Sequence, residues 1–168
     1  LSFAEGEVSQ TFTVPILPDT NPEDAESILL SLSDPTGGAT LGGSTAVLWI
    51  QDNDAPSFVF AAPTYTVSEA TASAVVTVKR VGSLVAPATV HYETVDGSAE
   101  AGADYAAQSA TLSFGAGVAT KTFSVPITND LLDEANETLT VALSVPSAGT
   151  TVGAPNEAIL TITDNDVA

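Results

Sequence analysis

The stretch Phe123-Ser124-Val125-Pro126-Ile127 carries an apolar side chain at every second position, so that Phe123, Val125 and Ile127 share one face of an extended chain. This two-residue period is typical of a half-buried β-strand. Similar short runs recur through residues 55–168, separated by Gly, Pro, Asn and Asp, and no run has a helical period of useful length. The pattern predicts an all-β protein.

The predicted strands of residues 55–168 suggest a particular all-β architecture. They cover residues 58–67, 74–78, 90–92, 112–114, 123–127, 139–145 and 158–162, and Pro63 is expected to break the first strand in two. A count of about seven strands in about 110 residues is typical of an immunoglobulin-like sandwich. We therefore predict two packed antiparallel sheets.

A second copy of the opening motif, Phe12-Thr13-Val14-Pro15-Ile16, lies 111 residues earlier in the chain. A period of this length corresponds to a whole domain rather than to one unit of a solenoid. We predict that residues 1–54 form the C-terminal half of one repeat, with its last four strands, and that residues 55–168 form a complete repeat in tandem. The half repeat would expose apolar surface, which either missing upstream sequence or strand exchange with another copy would cover.

Composition and charge narrow the classes of partner. A net charge of −18, with only three Lys and Arg residues, argues against nucleic acid and anionic lipid. The absence of cysteine argues against disulfides and thiolate metal sites, and no apolar stretch is long enough for membrane insertion. The lack of cysteine leaves the redox compartment open, but a composition that is 44% hydrophobic and rich in Val, Thr, Ala, Ser and Gly agrees with a secreted or surface-exposed all-β protein.

Acidic residues follow the predicted strands in the same order in both copies. The first copy has Asp19, Glu23 and Glu26 and ends in the triplet 52–54, and the second has Asp130, Glu134 and Glu137 and ends in the triplet 164–166; both triplets read Asp-Asn-Asp. Clustered oxygen ligands at strand ends indicate calcium rather than catalysis, because calcium takes six to eight oxygens in flexible geometry. The alternative is that these acids cap turns or line solvated loops.

Residues 94–105, TVDGSAEAGADY, resemble the DGTAxxGxDY signature of Calx-beta domains. Val67-Ser68-Glu69, the acidic loop 130–137 and the closing Asp-Asn-Asp are similar to other motifs of that family, in the same order and spacing. The resemblance covers residues 55–166, and residues 1–54 resemble the second half of the family's domain.

The resemblance implies a set of calcium ligands. In the complete repeat these are Glu69, Asp104, Asp130, Glu134, Glu137, Asp164 and Asp166, with the backbone carbonyl of Leu132 as a further candidate. In the partial repeat they are Asp19, Glu23, Glu26, Asp52 and Asp54. Asn129 and Asn165 stand where the most acidic members of the family carry aspartate, so we expect fewer or weaker sites.

Two functions fit this reading. The first is a calcium-stiffened structural or adhesive module of a large extracellular or cell-surface bacterial protein or fibre, whose partners are calcium and neighbouring repeats. The second is a calcium-sensing regulatory domain, as in the sodium–calcium exchangers that the resemblance also implies. No nucleophile has an identifiable base or oxyanion motif beside it, so we do not expect an enzyme.

Two single residues have surface positions in this interpretation. His91, the only histidine, alternates with Val90 and Tyr92 and is expected to project outward from a strand. Trp49 alternates with Leu48, so it too is expected to face away from the core. A separate possibility is that the loops 82–85 and 146–155 bind an unidentified ligand.

Overall fold

A computed structural model of the chain describes residues 1–167. Within this range the regular secondary structure is entirely β, with eleven strands in three sheets and no helix. It follows that the described residues include no helix with the length and apolar character that crossing a membrane requires.

Residues 57–163 form a sandwich of a four-stranded and a five-stranded sheet. The four-stranded sheet has the order β10-β3-β5-β8 and the five-stranded sheet the order β4-β11-β9-β6-β7. The strand bounds are β3 Ser57–Phe60, β4 Thr64–Ser68, β5 Ser73–Val81, β6 Ala88–Asp96, β7 Ser109–Phe114, β8 Thr120–Pro126, β9 Glu137–Ser144, β10 Thr151–Val152 and β11 Glu157–Thr163. The all-β sandwich predicted from the sequence is confirmed.

The first predicted strand does break at Pro63, and its two halves join different sheets. β3 pairs with β5 in one sheet, whereas β4 pairs with β11 in the other. This switch and the two-residue strand β10 bring the count to nine strands rather than seven. Two strand pairs are parallel, β3 with β10 and β4 with β11, whereas the sequence predicted a wholly antiparallel sandwich.

The core lies between the two sheets and follows the predicted alternation. On β5 the side chains at 74, 76, 78 and 80 are buried, and on β9 those at 139, 141 and 143 are buried. The largest fully enclosed side chains include Phe58, Phe60, Tyr105, Phe114 and Leu160. Such a core stabilises by about 25 cal/mol for each Å² of apolar surface removed from water.

Residues 1–54 contain two strands, β1 Glu26–Ser31 and β2 Thr45–Ile50, and not the four that the repeat predicts. The stretch 12–16 forms no strand, and Phe12 and Ile16 are about half exposed. Its counterpart β8 is paired with β5, and residues 1–54 hold no equivalent of β5. A strand without a neighbour leaves its backbone groups unpaired, so alternation alone does not produce one.

The outer face of the β1–β2 pair is apolar. Trp49 is 65% exposed, as predicted, and Leu29 and Val47 beside it are also exposed. The opposite face carries Ile28 and Leu48, which are half-buried. The predicted alternation therefore holds on β1 and β2.

Candidate metal centre

The strand directions bring the predicted acidic residues to one end of the sandwich. β4 and β11 run parallel, and their last paired residues are Ser68 and Thr163. β9 runs antiparallel to β11 and begins at Glu137, opposite Ile162. Glu69 and Asp164 follow directly after the ends of β4 and β11, so acids that are far apart in sequence come together there.

A first cluster consists of Glu69, Asp164 and Asp166. One carboxylate oxygen from each lies within 4.8 Å of the others. The backbone holds the group in place, because the Glu69 amide donates to the Thr163 carbonyl at 3.0 Å and the Asp166 amide donates to Asp164 Oδ1 at 3.2 Å. The cluster thus joins the ends of β4 and β11.

The first cluster contains buried oxygens that have no hydrogen-bond donor. Glu69 is only 6% exposed, and its Oε1 atom and Asp166 Oδ2 have no hydrogen-bond partner among the described residues. Burial raises the pKa of Glu69, and the neighbouring Asp166 and Asp164 raise it further. A buried carboxylate in this setting requires a proton or a cation, and these oxygens suit a cation.

A second cluster consists of Asp104, Glu134 and Glu137, again with one oxygen from each within 4.8 Å of the others. Burial raises the pKa of Glu137 to about 7, with contributions from its hydrogen bond to Asp104 and from the charges of Asp104 and Glu134. Burial and the charges of Asp130, Asp104 and Asp164 raise the pKa of Glu134 as well. The carboxylates repel one another at neutral pH.

The two clusters adjoin. A single narrow cavity is lined by Glu69 and Asp164 from the first cluster and by all three acids of the second. Thr128, Ala135 and Ile162 complete its lining. The arrangement offers carboxylate oxygens without nitrogen or sulfur donors, which suits a hard cation such as Ca²⁺, while the irregular loops suit its flexible geometry better than the rigid octahedron of Mg²⁺.

The remaining ligand candidates of residues 55–168, Asp130 and the carbonyl of Leu132, lie outside both clusters. Asp130 Oδ1 accepts a hydrogen bond from the Leu132 amide at 2.8 Å, as in a self-capped turn. Its charge nevertheless raises the pKa of Glu134, so it contributes to the same field. The Leu132 side chain is exposed, and the role of its carbonyl stays a prediction.

The acids of residues 1–54 are used largely in turns. Asp19 Oδ1 accepts from the Asn21 amide at 2.7 Å, and Asp52 accepts from the amides of Glu23 and Asp54 at 3.1 and 3.0 Å. Those two amides lower the pKa of Asp52, whereas the charges of Asp19 and Glu26 are the main causes that raise the pKa of Glu23. Among the described residues, no three acids of this segment approach as closely as those of either cluster.

Two residues of the centre were not expected from the sequence. The Asn136 side-chain oxygen accepts a hydrogen bond from the Asp164 amide at 3.3 Å, which ties the acidic loop to the end of β11. Thr128 lines the cavity directly after Ile127, the last apolar residue of the opening motif. The sequence offered one indication that Asn136 belongs to the site, which is its position between the predicted ligands Glu134 and Glu137.

The turn 96–105, which contains the DGSAEAGADY motif, places Asp104. Asp104 Oδ2 accepts from the Glu100 amide at 2.7 Å, and the Tyr105 hydroxyl donates to Asp96 Oδ1 at 2.5 Å. Burial, followed by that hydrogen bond, raises the pKa of Tyr105 to about 12. The motif therefore builds a closed turn that ends at a cluster residue.

Comparison with known proteins gives relatives of two kinds. The chain is 35% identical over 98% of its length to extracellular matrix protein 3 of Lytechinus variegatus. It is 36% identical over 62% of its length to the sodium/calcium exchanger Calx of Drosophila melanogaster. The matched regions span 6% and 11% of these two relatives, which are much longer proteins.

Solved structures agree with the fold. The apo form of the Calx CBD1 domain is 34% identical, with a TM-score of 0.66, and the match covers 67% of this chain and all of that domain. The calcium binding domain CBD12 of CALX1.1 is 35% identical, with a TM-score of 0.64, over 65% of this chain and 46% of that one. The Calx-beta domain profile matches residues 1–54 and again residues 51–166. The chain therefore belongs to the Calx-beta domain family.

Proposed function

We propose that this chain is a calcium-binding tandem module and not an enzyme. Residues 55–168 would be a complete Calx-beta domain that holds calcium at the two clusters, and residues 1–54 the second half of the preceding domain. The observation that carries this proposal is the buried Glu69, whose Oε1 atom has no hydrogen-bond donor and whose carboxylate lies in a cluster with those of Asp164 and Asp166. Bound calcium would supply positive charge that offsets their repulsion.

The contact between the two proposed repeats supports a mechanical role for calcium. A Cβ atom at Gly82 would lie 3.1 Å from Pro22 Cβ and 3.4 Å from Asp52 Oδ2, so the β5–β6 loop touches the acidic loops of the preceding repeat. Glu23, Asp24 and Asp52 line a groove together with residues 82–85. Any ion that ordered those acidic loops would also order the surface on which the next repeat rests.

The same contact supports a role as a structural repeat. Only residues 51–56 connect β2 with β3, so the link between repeats is short and its freedom depends on the contact at Gly82. We infer that calcium stiffens a chain of such repeats in an extracellular or cell-surface protein, a setting shared with the matrix relative. The partners would be neighbouring repeats, and strand exchange between copies is a second way to cover the apolar face of residues 1–54.

Calcium titration of the full chain by calorimetry tests the binding proposal. We expect saturable binding that Glu134→Gln and Asp164→Asn each weaken, because each removes a charged ligand from one cluster. Glu157→Gln is the matched control, since Glu157 is an exposed glutamate at the start of β11, at the opposite end of that strand. If the parent chain gives no calcium-dependent heat and no gain in stability, the proposal is wrong.

Small-angle X-ray scattering of the full chain tests stiffening separately. We expect calcium to narrow the distribution of interatomic distances without changing the mass. Unchanged dimensions in a chain that does bind calcium would leave the metal sites in place and remove the mechanical role.

The similarity to the Drosophila sodium/calcium exchanger supports a second candidate, a calcium-sensing regulatory domain. The affinity distinguishes the two, because sensors operate at about 10⁻⁷–10⁻⁵ M calcium and extracellular modules at about 10⁻⁴–10⁻³ M. A dissociation constant in the lower range would favour the sensor.

A further inference from the structure

Asp96 is an acidic residue close to the metal centre that belongs to neither cluster. It ends β6, and its Oδ1 atom accepts two hydrogen bonds, one from the Ala101 amide at 3.0 Å and one from the Tyr105 hydroxyl at 2.5 Å. Both donors lie in the turn 96–105, which contains Asp104. The Oδ1 atom of Asp96 is therefore committed to holding this turn.

Tyr105 anchors the other side of the turn in the core. Its side chain is 1% exposed, and its backbone bridges to Ala101 and to Ile127. The backbone carbonyl of the preceding residue, Asp104, accepts a hydrogen bond from the Thr128 amide at 2.9 Å. Asp104 is thus held by a buried aromatic ring directly after it and by backbone bonds to the end of the β8 segment.

The same turn is bonded to the residue beside Glu137. The Thr138 amide donates to Ser98 Oγ at 2.8 Å, and the Thr138 carbonyl accepts from the Ala99 amide at 3.0 Å. Gly97 packs so closely against this carbonyl that a Cβ atom there would collide with it. One turn therefore fixes Asp104 at its end and the backbone next to Glu137 at its middle.

We propose that Asp96 and Tyr105 are positioning residues of the second cluster, which hold Asp104 against Glu137 in the geometry that a cation requires, and that Asp96 does not itself bind the ion. The inference rests on the proposed calcium binding and extends it to residues outside the ligand set. Preorganisation matters here because like-charged carboxylates separate when nothing holds them. Partners that orient metal ligands typically change metal affinity by about 10–100-fold when they are removed.

The test measures the calcium affinity of the full chain by calorimetry in five variants. Tyr105→Phe removes the hydroxyl and is expected to weaken binding about tenfold. Tyr65→Phe is its matched control, because Tyr65 also donates its hydroxyl, to the Thr77 carbonyl at 3.1 Å, and lies in neither cluster. Asp96→Ala removes the acceptor and should weaken binding about as much as Tyr105→Phe.

Asp96→Asn separates positioning from ligation. It removes the charge but keeps an oxygen that can accept from Ala101 and Tyr105, so we expect affinity within about twofold of the parent, since a solvent-screened charge that does not touch the ion contributes little. Asp104→Asn, which changes a cluster residue, should weaken binding much more. Thermal midpoints in chelator should fall similarly for Tyr105→Phe and Tyr65→Phe, while only the former changes calcium affinity.

Three results would overturn the inference. Equal calcium affinities for Tyr105→Phe and Tyr65→Phe would show that the hydroxyl is only structural. A loss of calcium affinity for Asp96→Asn as large as that for Asp104→Asn would make Asp96 a ligand. If Tyr105→Phe does not fold, the comparison of Asp96→Asn with Asp96→Ala still tests the inference, because only Asp96→Ala removes the hydrogen-bond acceptor. A parent chain that binds no calcium would overturn the proposed function and this inference together.

Discussion

Glu137→Gln should stabilise the calcium-free protein at pH 8 while weakening its response to calcium. Glu137 is half-buried, and its carboxyl group meets Asp104 and Glu134. Glutamine keeps the size of the side chain, removes one of three negative charges and offers an amide that can donate to Asp104. A substitution that removes a proposed metal ligand is therefore expected to raise stability when the metal is absent.

The magnitude follows from the pKa of Glu137, which is raised from 4.5 to about 7. Because the folded state binds this proton more tightly than the unfolded state, the stabilisation is fully present below pH 4.5 and is lost as the pH rises through about 7. The shift corresponds to about 3 kcal/mol, and solvent screening at a half-buried side chain reduces the expected effect to ~1–2 kcal/mol.

Urea unfolding of the calcium-free full chain, followed by circular dichroism at pH 5 and pH 8, measures this effect. The parent should lose stability between the two values, and Glu137→Gln should lose less. Glu157→Gln serves as the control, because Glu157 is an exposed glutamate outside both clusters. A parent whose stability is the same at both pH values, or a Glu137→Gln variant that is less stable than the parent at pH 8 without calcium, would refute the electrostatic reasoning.

Three further outcomes are expected. Calcium at 100 times its dissociation constant should add about 2.7 kcal/mol of stability per site. Glu69→Gln should remove the part of this gain that comes from the first cluster, and a variant whose thermal midpoint rises with calcium as much as that of the parent would contradict this. Gly82→Ala should loosen the contact between residues 1–54 and the β5–β6 loop more than Gly117→Ala does, since both glycines have positive φ but only Gly82 lies against Pro22. Small-angle X-ray scattering with calcium should then show a broader distribution of interatomic distances for Gly82→Ala than for Gly117→Ala. Gly97→Ala should destabilise by ~1–3 kcal/mol through overpacking, and urea unfolding that shows no loss would count against the close approach.

The strands of the sandwich could be predicted from the sequence because their apolar period is local. Phe123, Val125 and Ile127 lie where the alternation placed them, on an edge strand whose inner face is covered. Pairing depends on distant segments, which a local pattern does not contain. For this reason the parallel partner of β4 was missed, and residues 12–16, with the same alternation, were wrongly expected to form a strand.

The set of acidic residues at the candidate metal centre could be predicted from residue type and order in the sequence, but the separate role of each residue could not. Spacing alone treats Asp130 and Asp104 alike, but the structure engages Asp130 in a turn with Leu132 and places Asp104 beside Glu134. The difference lies in which backbone amide each carboxylate can reach. Asn136 was missed because an amide side chain contributes no charge to the pattern that defined the site.

The parallel pairing of β4 with β11 has a consequence for a chain under tension. A pull transmitted along tandem repeats would enter residues 57–163 at β3, which lies in the other sheet, and leave at the end of β11. Once β3 had detached from β5 and β10, the pull would draw β4 and β11 in opposite directions along their length. In this shearing geometry all hydrogen bonds of the pair, from Ile159 beside Pro63 to Glu69 beside Thr163, bear the load together rather than opening one by one. The first cluster lies where these two strands end, so an ion bound there would link the two ends and resist the sliding of one strand past the other.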